Sequence, residues 1–220
     1  MESETETEWR IRMAMKADSE AIAWILVEAF PALYEFAFGV ASAEKNVVIL
    51  TELFQAGHLA LDKTRVCERD GEIVGLTILH TGDPIGRGSH WGYARLLRRH
   101  LALVPAARAY FGGLGANRTL VRRMPHGRDL LYIEALAVHP DARGKGIGTR
   151  LLEDAFAWAA ADGRNRMALH VLHSNTGARR LYERMGFALW QPNVWHRLRN
   201  RVAPATTWSA LLMLKVLNEP

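Results

Sequence analysis

The chain of 220 residues has a single cysteine, Cys67, which excludes an internal disulfide and a cysteine-based zinc site. No run of 18 uncharged apolar residues occurs, so no membrane span is expected. The N-terminus has no basic segment leading into an apolar one. It carries Glu2, Glu4, Glu6 and Glu8 instead, which argues against a secretory leader and makes the cytoplasm the expected location. Internal repeats and low-complexity tracts are lacking. So is an aromatic-interleaved basic motif of the kind that stacks bases, and no nucleic-acid partner is expected. His170 and His173, three apart on a strand pattern, point to opposite faces, so no metal site is expected either.

What is present suits a globular chain large enough to bury a real core: 49% apolar residues, 23% charged, and a formal net charge of +5. A mildly basic balance suits an anionic ligand, and also nucleic acid or an anionic membrane surface. One domain over residues 1–220 is expected.

Alternation at Trp9, Ile11, Met13 and Met15 predicts a first strand. Asp18 or Ser19 is placed to cap a helix through Ile22, Ile25, Leu26 and Ala29, and Pro31 either interrupts it or opens a second one. A further helical pattern covers 43–56, closed by Gly57. Strand patterns at 64–68 and 73–79 flank Asp70-Gly71, a strong hairpin signal. Residues 81–129 make an unusually long connection holding nine arginines (87, 95, 98, 99, 108, 118, 122, 123 and 128) against Asp83 and Asp129. It reads as a basic helical insertion, with a helix at 93–104. A solvated insertion, a lid over a cleft and a basic amphipathic face all remain open. Strands at 166–172, 187–190 and 208–216, and a helix from Ser174 or Asn175 to a stop at Gly186, complete a mixed α/β pattern. Residues 191–204 read as a basic, tryptophan-bearing loop.

Chemistry concentrates at 131–158. An apolar strand over 131–138, whose one charge is Glu134, ends before Pro140. Residues 143–148, Arg-Gly-Lys-Gly-Ile-Gly, then open a helix patterned on Ile147, Leu151, Leu152, Ala155 and Trp158. A strand, a glycine-rich turn and a helix N-terminus bring free N–H groups and the positive end of a helix dipole to one point, a phosphate site. A Walker loop would need Ser or Thr directly after Gly-Lys, and Gly146 stands there. A dinucleotide fingerprint would need Gly at Thr149 and an acidic residue near Leu172 or His173.

Arg143-x-x-Gly146-x-Gly148 after a strand resembles the acyl-CoA pyrophosphate loop of the GCN5-related N-acetyltransferase (GNAT) superfamily. The downstream run Asn175-x-x-Ala178-x-x-Leu181-Tyr182-Glu183-Arg184-Met185-Gly186-Phe187 resembles its second motif at the family's spacing. The likeness covers nearly the whole chain except 81–129. It implies a mostly antiparallel central sheet of about seven strands with a V-shaped splay, flanked by helices, and acetyl-CoA as the acyl donor. It further implies that backbone groups of Leu136, Ala137 and Val138 bind the pantetheine arm and that one N–H holds the oxyanion. On the same resemblance Arg143, Gly144, Lys145, Gly146, Ile147, Gly148 and Thr149 hold the pyrophosphate. Asn175 binds the arm, caps its helix, or does both.

Tyr182 matches the tyrosine that the family uses as general acid. The candidate bases are Glu134 and His170, where some branches of the family have Glu at the latter place. The function so implied is acetyl transfer to a primary amine of a small molecule or a protein, by direct attack in a ternary complex. Two other readings stay open: a non-catalytic acyl-CoA-binding regulator and a basic nucleic-acid-associated protein. Family members are often dimers, which leaves a homodimer open as well.

Overall fold

Asp70 and Gly71 take φ of 52° and 84° and close the hairpin between β2 (Thr64–Arg69) and β3 (Glu72–His80). That hairpin lies within a seven-stranded sheet of order β1-β2-β3-β4-β5-β7-β6. The other strands are β1 (Trp9–Met13), β4 (Leu130–Val138), β5 (Arg166–Leu172), β6 (Ala188–Leu189) and β7 (Ala210–Val216). Every neighbouring pair is antiparallel except β4 with β5, which is parallel. This is the mixed, mostly antiparallel sheet expected. The computed structural model describes residues 9–80, 90–107, 109, 129–190 and 210–217. The acidic 1–8 stretch, the basic loop within 191–209 and most of the 81–129 connection lie outside the described residues.

Both sheet faces are covered. On one, α1 (Ser19–Ala29) and α3 (Ala43–Gln55) bury Ile22, Ile25, Leu26 and Phe54 against Val66, Leu76, Ile78 and Ala137. On the other, α5 (Ile147–Ala161) and α6 (Thr176–Arg184) bury Leu152, Ala155, Ala159 and Tyr182 against Leu131, Ile133, Met167, Leu169 and Val171. Each large aliphatic residue so buried contributes roughly 1.5–3 kcal/mol. Pro31 opens α2 (Pro31–Phe38) at its first turn, and the chain bends by 103° between α1 and α2.

The 81–129 connection contributes α4 (His90–His100), which starts before the expected residue 93 and ends before 104. Its Leu96 and Leu97, with Leu101 beyond it, join Val47, Leu50 and Leu53 of α3 in a third cluster. So this helix packs into the protein on one side, while Arg95, Arg98 and Arg99 stay exposed on the other. Among the described residues no single helix is long and apolar enough to cross a membrane.

Two local expectations change. β1 stops at Met13, and Met15 is exposed. Asp18 stands at the N-cap position of α1, but its side chain makes no capping bond there. Its carboxylate accepts two bonds from the Arg12 guanidinium, at 2.6 and 2.9 Å, and one from the Met15 N–H at 2.7 Å, and it is buried. Arg12 also reaches Glu68 at 2.7 Å, so one arginine ties β1, β2 and the approach to α1 together. The Arg12 bonds, helped by the Met15 N–H, hold the Asp18 carboxyl below the usual carboxylate range.

Removing one partner of so enclosed a pair leaves the other charge uncompensated, so Asp18→Asn should lower stability by about 2 kcal/mol at pH 7. Because the folded pKa is depressed, this contribution is present above the unfolded value near ~3.9 and disappears as pH falls through the folded one. Urea titrations at pH 7 and pH 3 should therefore show a large gap between the two proteins at the first pH and a smaller one at the second.

Candidate functional site

β4 and β5 start as a parallel ladder, Leu130 opposite Arg166 through Ile133 opposite Leu169, and the pairing stops there. β4 nonetheless runs to Val138 on its β3 side, and β5 runs to Leu172 on its β7 side. Among the described residues, then, the β4 edge from Glu134 to Val138 faces no strand. Backbone N–H and C=O groups on such an edge need partners, so the splay is a slot for an extended ligand carrying amides of its own. Leu136, Ala137 and Val138 all lie along it. The Val138 carbonyl already accepts the Arg143 Nε–H at 3.0 Å.

The slot leads to the glycine-rich turn. Gly144 and Gly146 take φ of 76° and 80°, and Gly146 is the residue preceding α5. The first helical bond runs from the Arg150 N–H to the Gly146 carbonyl, so the N–H groups of Ile147, Gly148 and Thr149 have no intrahelical acceptor. Arg143 and Lys145 are turned onto the loop itself, Lys145 Nζ donating to the Asp141 carbonyl at 2.8 Å. They brace the turn while remaining exposed, so their charge adds to the field of the helix end. An anionic, extended ligand fits these residues. Among the described residues no group of three or more His, Cys, Asp or Glu side chains is placed to hold a metal ion.

Gly148 faces α6. A Cβ there would lie 2.9 Å from Leu181 Cδ2, so the turn and α6 are in close contact. Asn175 Oδ1 accepts the Ala178 N–H at 3.1 Å and caps α6, leaving the amide NH2 as the part of the side chain for another partner. One turn further on, Tyr182 packs edge-on to Phe187 with ring centroids 5.9 Å apart. Burial pushes its phenol up to about 12. Among the described residues the Tyr182 hydroxyl has no hydrogen-bond partner.

A set of titratable side chains gathers where the strands part. Ile78 pairs with Ala135 and Leu79 with Ile133, so Glu134 is the extra residue of a β-bulge, a device that re-aims a side chain. Its side chain is 49% exposed and takes a hydrogen bond from buried His80 on β3. Tyr132, opposite His80 in the ladder, bonds through its hydroxyl to His170 Nδ1 at 2.9 Å. Burial raises the Tyr132 phenol, and the charges of Glu134 and Tyr182 raise it further. Tyr34 on α2 is raised by burial and by the charge of Glu134. The structure thus brings Glu134, His170 and Tyr182 to one region. The sequence reading missed His80, Tyr132 and Tyr34 there. The one available signal for His80 was its place two residues beyond Ile78, on the same face of an apolar strand.

A profile of the Acetyltransferase (GNAT) family matches residues 19–187, and the chain belongs to that family. A mycothiol acetyltransferase of Salinispora tropica is 35% identical over 99 residues, 44% of this chain and 31% of that one. An uncharacterized N-acetyltransferase of Methanocaldococcus jannaschii is 42% identical over 60 residues, 27% of this chain and 26% of that one. Each match spans less than a third of the relative's length. Among solved structures, an N-acetyltransferase from Staphylococcus aureus Mu50 superposes with a TM-score of 0.63 at 18% identity, over 93% of this chain and 99% of that one. PaiA N-acetyltransferase from Thermoplasma acidophilum, in complex with coenzyme A, gives 0.55 at 14%, over 95% and 99%. At these identities the likeness is one of fold.

Proposed function

We propose that this chain moves an acetyl group from acetyl-CoA to a primary amine. The observation that carries the reading is the parting of β4 from β5 after Ile133 and Leu169, directly above a glycine turn with free N–H groups. In this reading the β4 edge around Leu136, Ala137 and Val138 binds the pantetheine arm. Residues 143–149 bind the pyrophosphate through backbone N–H groups, and the Asn175 amide binds the arm from α6. Acetyl-CoA supplies a thioester carbon open to attack by an uncharged amine.

The chain's own residues handle the protons. The Tyr182 hydroxyl keeps its proton at working pH and delivers it to the departing sulfur. Glu134, exposed at the bulge and on the side of Tyr34, accepts the proton the amine must lose. His170, engaged with Tyr132 through Nδ1, orients that wall of the site. Family membership and the coenzyme A complex of the Thermoplasma structure support the donor. The acceptor is an amine-bearing small molecule or protein.

The test is release of free thiol from acetyl-CoA across a panel of polyamines, aminoglycosides, amino acids and peptides. Amine-dependent release from one class is expected. Acetyl-CoA binding with no release in any class would leave a non-catalytic acyl-CoA-binding module and overturn the enzyme reading.

A further inference from the structure

We propose that His80 is the positioning residue that fixes Glu134 for proton acceptance from the amine. The inference rests on the acetyltransferase reading and deepens it. Glu134 needs such a partner. It stands on a bulge, half in solvent, where a glutamate side chain would otherwise spread over several rotamers and hold its carboxylate in no single place. His80 supplies a rigid counterpart. It is 6% exposed, at the end of β3, with its backbone locked opposite Tyr132. Its Nε2–H donates to Glu134 Oε2, which leaves Oε1 for the incoming amine.

The other nitrogen argues that the contact serves the site rather than the fold. With Nε2 carrying the proton, Nδ1 is a bare acceptor. It is buried, and it has no hydrogen-bond partner among the described residues. A histidine kept for stability would satisfy both nitrogens or give way to an apolar side chain. Here the bond that His80 makes among the described residues is directed at the half-exposed Glu134 carboxylate where the strands part. Among the described residues four other titratable groups surround this pair, two of them by way of Tyr132. Tyr34 comes from α2, Tyr132 from β4, His170 from β5 behind Tyr132, and Tyr182 from α6. The three tyrosines keep their protons at neutral pH and cannot take Glu134's place as proton acceptor; His170 is a base, and its Nδ1 is engaged by the Tyr132 hydroxyl.

The test is a double-mutant cycle read by kcat and KM in the thiol-release assay. His80→Leu, which has no donor, should lower kcat about 10- to 100-fold with KM for acetyl-CoA within about twofold. His80→Asn, too short to reach Oε2, should behave the same way. His80→Gln keeps an N–H at the reach of Nε2 and should return kcat to within about fivefold of wild type. In a Glu134→Gln background, His80→Leu should cost less than about twofold more, because a residue that acts through Glu134 has nothing left to position.

The same loss in both backgrounds, or a His80→Gln variant no better than His80→Asn, would overturn the proposal. Wild-type rates in Glu134→Gln would overturn it too and leave the acetyltransferase reading standing. A wild-type chain that releases no thiol with any amine would sink both.

Discussion

Replacing Tyr182 by Phe should lower kcat about 100- to 1,000-fold while leaving KM for acetyl-CoA within about threefold. The ring is buried against Phe187 and the α5–α6 cluster, and Phe keeps that packing. Among the described residues the hydroxyl has no hydrogen-bond partner to lose, so the unfolding free energy should change by less than about 0.5 kcal/mol. What disappears is a proton held at the splay.

The direction of the pKa shift matters here. Burial pushes the phenol up to about 12, so the group stays protonated through neutral pH. A free thiol titrates near ~8.5, and by that comparison the transfer runs uphill. The comparison is misleading, because a thiolate released beside a buried tyrosine is as poorly solvated as the tyrosinate would be. Desolvation raises both, and the match is set inside the site.

Two consequences separate this account from a packing role. The wild-type pH–rate curve should show no falling limb assignable to Tyr182 below about pH 11. Acceptors whose attack is already fast should lose more in Tyr182→Phe than poor ones, because sulfur departure then limits them. Full activity in Tyr182→Phe across pH would remove the acid assignment. For stability the sign is that of a raised acid: unfolded tyrosine ionises near ~10, before the folded one, so its burial favours the folded state less as pH climbs above 10.

The parts of the fold that read correctly from sequence are those fixed by local chemistry. β5 falls on residues 166–172 as expected, because Met167, Leu169 and Val171 alternate with Ala168 and His170 in a run without breakers. Asn175 and Gly186 bracket α6, the first by accepting the Ala178 N–H, the second with φ of 84°. The errors fall where a distant residue overrides the local signal. Asp18 has the pattern of an N-cap, yet Arg12 of the preceding strand β1, itself fixed by Glu68 of β2, holds its carboxylate. The bulge at Glu134 belongs to a ladder whose other strand lies 54 residues upstream, so no window along β4 contains it. His80 stands just past the apolar run read as ending at Leu79, and the pairing with Tyr132 makes it the last residue of β3. The candidate site was legible at the turn over 143–149 and at the start of α6, where glycines and caps carry the signal. Where the strands part, the pairing of side chains from β3, β4 and β5 and the approach of α2 make the site, and these are tertiary facts.

Gly146→Val should raise KM for acetyl-CoA about 10- to 100-fold and leave kcat at saturating donor within about threefold. Gly146 has φ of 80° and ψ of 0°, a conformation that costs a β-branched residue about 1–2 kcal/mol. A Cβ built there meets nothing within 4 Å, so the free protein suffers backbone strain and no clash. The open space in question is the approach to the N–H groups of Ile147, Gly148 and Thr149, and a valine side chain would stand in it. Strain alone predicts a different result, and the protein contains its own control. Gly71 in the β2–β3 hairpin has φ of 84° and the same open surroundings, far from the turn in sequence and on the other side of β3 from β4. Gly71→Val should lose a similar amount of stability, about 1–2 kcal/mol by urea titration, with KM for acetyl-CoA unchanged. If Gly146→Val and Gly71→Val shift stability alike and neither moves the donor KM, the turn at 143–149 does not hold the pyrophosphate. A KM effect confined to Gly146→Val, falling as salt weakens donor binding in both enzymes, is what a backbone cradle for a phosphate group requires.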